Sequence, residues 1–215
     1  MTGKIKLNAT SGGGSVSFQA PSSTGDDRVI TLPTTADGTV LTTTNPKAGN
    51  IIQVVQTVKT DISSFSVNAG SFGTTDSTFN ISITPSSTSS LLYLSGFLNL
   101  AVSGAVSNVS IVYRRGGSTI STAVNGGSTT TPIGDAAGSR KRVTMSGNNS
   151  DYAGNCFTLA LLDKPASTSA QTYSLGIAHG SGSSRTMYIN EVNGTQDSSA
   201  LQRAASVFIA MEVAG

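Results

Sequence analysis

Apolar residues recur at every second position along most of this chain, against a background of Ser, Thr and Gly. The segment Thr78-Phe79-Asn80-Ile81-Ser82-Ile83-Thr84 shows the pattern, with Phe79, Ile81 and Ile83 on one side and small polar residues on the other. Successive side chains of an extended chain point to opposite faces, so this alternation predicts a half-buried strand over 78–84. The same reading predicts strands over 51–58, 64–67, 91–101, 108–114, 118–124, 142–145, 156–162, 172–178, 186–192 and 206–213. Many short strands at this spacing make a β-sandwich. One short peripheral helix is expected at 199–205, where Ala200-Leu201-Gln202-Arg203-Ala204-Ala205 has good helix propensity.

The stretch from Ser90 to Tyr113 carries no charge. A membrane helix needs about 20 predominantly apolar residues. Here Ser95, Gly96, Asn99, Ser103 and Gly104 interrupt the run, so it reads as two strands around a Ser103-Gly104 turn.

Some strands are apolar on both sides. In Ile51-Ile52-Gln53-Val54-Val55-Gln56-Thr57-Val58, Ile52, Val54 and Val58 face one way and Ile51 and Val55 the other. Leu159 and Leu161 oppose Leu162 in the same manner. A sandwich strand needs one apolar face, and a second one must meet another subunit or the N-terminal arm. A homotrimeric interface is the expectation.

Residues 1–45 differ from the rest. Their strand-like pieces (5–7, 15–18, 28–32, 39–41) are short and separated by Gly12-Gly13-Gly14, Pro21 to Gly25, Pro33 and Asp37-Gly38. A piece this small rarely buries enough surface to fold without disulfides, metal or oligomerisation. The expected organisation is therefore an attachment and trimerisation arm over 1–45, a linker over 46–50 around Pro46 and Gly49, and a sandwich head over 51–215.

Composition narrows the function. Charged residues are 11% of the chain and net charge is +2, too weak a balance to predict nucleic-acid binding. Arg140-Lys141-Arg142 and Arg114-Arg115 read as solvated loop charges. Cys156 is the single cysteine, which precludes an intrachain disulfide, and its strand setting suits a small half-buried residue. No secretory leader is recognised in the opening residues, Met1-Thr2-Gly3-Lys4-Ile5-Lys6.

Catalytic types are scarce. His179 is the lone histidine and reads as an exposed imidazole where a strand enters the Gly180-Ser181-Gly182 loop. A triad or a zinc site needs more partners than one His and one Cys provide. Asp26-Asp27 is a turn pair whose members point apart, while Asp135, Asp151, Asp163, Glu191 and Glu212 are scattered. Gly12-Gly13-Gly14-Ser15 lacks the lysine of a phosphate-cradling loop. No enzyme, cofactor or metal site is expected. The segment 124–155 is long, polar and Gly/Ser-rich, and Arg140, Arg142 and Tyr152 make it a candidate receptor-facing loop suited to a glycan.

The segments Phe18-Gln19-Ala20-Pro21, Ile30-Thr31-Leu32-Pro33 and Ala36-Asp37-Gly38-Thr39-Val40-Leu41-Thr42 together resemble a recurring segment of bacteriophage tail-fibre and related virion proteins, especially those of marine and cyanobacterial phages. That match covers about residues 3–45. Asn50 to Gln56, Ile81 to Ser90, Leu162-Asp163-Lys164-Pro165 and Met187-Tyr188-Ile189 are similar to C-terminal domains of the same group. The resemblance implies an all-β virion surface protein: an intertwined arm followed by a trimeric jelly-roll head. It implies a short tail fibre or fibre subunit for host attachment. A capsid decoration or cement protein is the alternative, and a polysaccharide depolymerase spike a minor one. Implied partners are further copies of the chain, other virion proteins through the arm, and host surface glycan, with no nucleic acid and no membrane insertion. The implied location is the virion, assembled in the host cytoplasm. No catalytic residues are carried over.

Overall fold

A computed structural model describes residues 4–19, 25, 46–125, 128–149, 154–192 and 202–215. Contacts divide the chain into two compact units, Met1–Val40 and Leu41–Gly215. In the first unit, β1 (Lys4–Asn8) and β2 (Ser15–Gln19) form an antiparallel hairpin. Ile5 pairs with Phe18 and Leu7 with Val16, so all four apolar side chains share one side of the ribbon. All four are at least half exposed.

The second unit is built from β3 (Ile51–Lys59), β4 (Ser63–Val67), β5 (Gly73–Thr74), β6 (Ile81–Ile83), β7 (Leu91–Val102) and β8 (Val106–Arg115). It continues with β9 (Ser118–Thr119), β10 (Ala123–Asn125), β11 (Ser128–Thr130) and β12 (Met145–Asn149). The last four are β13 (Asn155–Asp163), β14 (Gln171–His179), β15 (Arg185–Ile189) and β16 (Ser206–Val213). Pairing nests these strands: β8 with β12, β7 with β13, β5 and β6 with β14, and β3 with β16, all antiparallel. One long ribbon rolled on itself in this way leaves two sheets, β3-β16-β7-β13 and β6-β14-β8-β12, with β4 and β15 extending the first. This is the jelly roll, two Greek keys closed face to face. No α-helix occurs among the described residues.

The core lies between the sheets and is filled by the inward half of each alternation: Leu92, Leu94, Leu98 and Leu100 from β7, and Val109, Ile111 and Tyr113 from β8. Phe79 stacks on Phe208 at 5.8 Å between ring centroids. The uncharged run becomes β7 and β8, with Gly104 at φ 74° in the turn between them, as its pattern predicts.

Several expectations change. The strand expected over 118–124 divides into β9 and β10, and of 142–145 only Met145 lies in a strand, β12. Residues 78–84 are not one strand: Asp76 caps a single 3-10 turn, Ser77–Phe79, by accepting a hydrogen bond from the Thr78 amide, and the strand begins at Ile81. Phe79 still points inward with Ile81 and Ile83, because Asn80 is extended and restores the phase. The predicted helix at 199–205 is absent over its described part, where Arg203 instead makes a β-bridge with Glu191. Finally, Glu212 opposes Gln53 and Val213 opposes Ile51, leaving Ile52 as an extra residue. This bulge turns Ile51 outward with Val54 and Val58 rather than inward with Val55.

Candidate functional site

The outer side of the β3-β16-β7-β13 sheet is apolar. Across the four strands one row reads Val58, Val207, Phe97, Thr158, and another reads Val54, Met211, Tyr93, Leu162. Gln56, Ile209, Ser95 and Ala160 lie between them. None of the twelve carries a charge. The exposed large apolar residues among those described in the second unit, Ile51, Val54, Val58, Tyr93 and Phe97, all sit on this side. Water usually meets charged or amide side chains on such a surface, and contiguous apolar patches mark interfaces. Cys156 shares this face and is exposed, not half-buried, because its β7 neighbour Asn99 and the strand edge leave it open.

A cationic cluster lies beside the opposite sheet. Residues 131–144 run from β11 to β12, and Arg140, Lys141 and Arg142 are exposed on this segment. Arg140 and Lys141 stand over a cavity of about 470 Å³ with Asn108, Ser110, Val143, Ser146, Ala178, His179 and Gly180. The Lys141 ammonium lies 5.5 Å from the Phe72 ring centroid. Arg142 is turned away and donates to the Gly134 carbonyl at 2.6 Å. Of the three candidate receptor-facing residues, only Arg140 lines the cavity, and Tyr152 lies outside the described residues. Segment 124–155 is not one long loop, since β11 and β12 interrupt it.

Most other titratable groups are consumed inside the fold. His179 is buried, not exposed: its Nε2 donates to the Val67 carbonyl at 2.9 Å, and its Nδ1 accepts from the Ser181 amide at 3.1 Å. The strand end lies against β4, a contact that sequence distance conceals. Arg114 and Arg115 are strand residues, not loop charges. Arg114 bonds Thr74 and the Phe72 carbonyl, and Arg115 pairs with Asp163, which also accepts from the Tyr173 hydroxyl at 2.7 Å. Burial, with the Asp163 charge adding to it, pushes the Tyr173 hydroxyl far above its usual range.

Asp163 and Glu212 both oppose Leu92, one from each side, and both are fully buried. Glu212 accepts from the Ser86 amide, the Ser86 and Ser90 hydroxyls and the Gln53 amide. Burial raises its pKa, but these hydrogen bonds outweigh burial and hold it below the usual glutamate value. Two carboxylates in one row are thus structural anchors with separate sets of donors, although Asp163 Oδ1 is buried without a partner. Lys59 is likewise buried, with its ammonium 2.8 Å from the Thr78 hydroxyl, 3.0 Å from Asp61 and 3.5 Å from Asp76. No cluster of three potential metal ligands occurs among the described residues.

No protein-family model matches this sequence, nor does any curated protein. Among solved structures, the chain is similar to one of infectious bursal disease virus, Gx strain, at 14% identity and a TM-score of 0.39. The likeness covers 93% of this chain and 43% of that one. A crystal structure of the VP2 subviral particle of infectious bursal disease virus gives 15% identity and a TM-score of 0.38, over 94% of this chain and 47% of that one. The chain thus spans less than half the length of these viral structures, and TM-scores below 0.5 carry nothing over to its activity.

Proposed function

We propose that this chain is a structural protein of a virion, a trimeric short tail fibre or fibre subunit that mediates host attachment. The observation that carries the reading is the uncharged outer side of the β3-β16-β7-β13 sheet, where Val54, Val58, Tyr93 and Phe97 meet solvent in a single copy. Three rows across four strands cover roughly 400 Å² of sheet, using ~4.8 Å between strands and ~3.3 Å per residue. That is about half of what a standard interface buries per partner. The hairpin of the first unit offers a second apolar stripe, and a two-stranded hairpin is marginal alone. Two unsatisfied apolar surfaces on one chain favour closed association of identical copies. A jelly roll hosts many functions, so the virion setting rests on the resemblance of residues 3–45 to phage fibre segments. In this reading the arm joins other virion proteins, and assembly occurs in the host cytoplasm.

Immunogold labelling of particles tests the location, and adsorption of fluorescent protein to host cells tests the role. Label at one tail with adsorption to cells supports the fibre reading. Label spread over the capsid without adsorption replaces it with a decoration protein.

A further inference from the structure

We infer that the cavity beneath Arg140 and Lys141 is a binding site for an acidic sugar residue, one carrying a carboxylate, sulfate or phosphate group. Three observations lead there. The first is shape: about 470 Å³ lies within the ~300–1,000 Å³ range of small-molecule sites. It is assembled from three distant parts of the chain, β8 at Asn108 and Ser110, the approach to β12 from Arg140 to Ser146, and the end of β14 at Ala178 to Gly180.

The second is charge. None of the lining residues is acidic, and neither Arg140 nor Lys141 has a carboxylate partner among the described residues. Burial without a counter-charge lowers the Lys141 pKa. An anion seated beside the ammonium offsets that cost, and the Arg140 guanidinium presents a planar fork suited to an oxyanion.

The third is the chemistry of the floor. Ser110, Ser146 and Asn108 offer hydroxyl and amide groups, and Ala178 and Gly180 keep the floor low. The Ser110 and Ser146 hydroxyls are 3.4 Å apart on paired strands, leaving capacity for further partners. Among the described residues no Phe, Tyr or Trp lines the cavity and the His179 ring is held by Val67 and Ser181, so a nucleobase finds no stacking platform there. Val143 and Ala178 are the sole apolar side chains among the described lining residues, too few for a lipid or drug-like ligand. A compact, hydroxyl-rich anion fits best.

This inference rests on the attachment reading for the source of the sugar, a host surface polysaccharide, but not for its chemistry. Calorimetry of the full chain tests it with three probes: trigalacturonate, a sulfated galactose trisaccharide and a neutral galactose trisaccharide. At least one acidic probe binds, and the neutral one binds ~10-fold more weakly or not at all, since charge-assisted hydrogen bonds carry the affinity. Which acidic probe is preferred identifies the anion. Arg140→Gln with Lys141→Gln weakens binding ~10-fold or more, while the melting temperature falls by a few degrees at most, since only the exposed Lys141–Phe72 contact is lost. Ser146→Leu keeps both cations but fills the cavity, and it also abolishes binding. Equal binding of the neutral probe, no binding of either acidic probe, or unchanged affinity in either variant overturns the inference. Such a failure leaves self-association intact, while a monomer that binds trigalacturonate would sink the trimer and keep this site.

Discussion

At the level of single residues, this molecule spends its scarce polar chemistry on holding strand ends. Asn190 is fully buried at φ 63°, a conformation asparagine tolerates better than most residues. Its amide group donates to the Lys59 and Asp61 carbonyls and accepts from the Ser206 hydroxyl, joining the end of β3 to the start of β16. Asn190→Leu leaves those groups unpaired and should cost several kcal/mol, read as a lower melting temperature. Phe79→Ala removes the ring stacked on Phe208 and should cost about 3–5 kcal/mol, lowering the melting temperature by roughly 10 °C. Ile81→Asp should prevent folding of the head, because an unpaired buried charge is costlier still. Normal melting of that variant would refute the inward placement of Ile81. Glu212 predicts the acid limb of stability. Its folded pKa lies below the ordinary value of 4.5, so its contribution is complete above that pH. It is lost as pH falls through the folded pKa. Asp76, lowered by its hydrogen bond from the Thr78 amide despite burial, acts in the same direction. Glu212→Gln should therefore flatten the loss of stability on acidification, measured by denaturant unfolding at several pH values.

At the level of elements, alternation located the long strands β3, β7, β8, β13, β14 and β16, but the strand expected over 118–124 splits into β9 and β10, and of 142–145 only Met145 is in a strand. The expected limits of the last strand, Ser206 to Val213, coincide with β16, and the turn at Ser103-Gly104 is where the pattern puts it. It failed where a local hydrogen bond competed with extension, as the Asp76 cap does before Phe79, and where a bulge shifted phase, as at Ile52. Helix propensity at 202–205 lost to pairing of Arg203 with Glu191, an example of tertiary context overriding a weak prior. The candidate site was the least legible feature. Arg140 was visible as a basic residue in a polar segment, but Ser110, Ser146 and Ala178 meet beneath it through strand pairing that one-dimensional pattern does not encode. Gly96 illustrates a constraint readable in the fold alone. At φ 131° in the middle of β7, a Cβ would collide with the Val207 carbonyl of β16. Gly96→Ala should break the β7–β16 pairing and markedly lower the melting temperature, whereas Gly116→Ala, in an open turn with nothing near its would-be Cβ, should bear only the strain of φ 55°.

At the level of the whole molecule, each unit taken by itself exposes apolar surface. The second unit buries one side of its long strands in its core and leaves the other side of one sheet uncharged and exposed. The β1–β2 hairpin presents Ile5, Leu7, Val16 and Phe18 in one stripe. If the arm is the attachment element, chains lacking residues 1–45 should keep a folded head yet no longer sediment with particles; retention would contradict that division of labour. The central claim is that the uncharged sheet face is covered by identical copies. Sedimentation equilibrium at micromolar concentration tests it directly. A trimer sediments at three times the 21.7 kDa chain mass, falling to one chain mass in a folded Val54→Glu, Phe97→Glu variant. A single-chain mass for the unaltered protein, or a trimer indifferent to both substitutions, would contradict it.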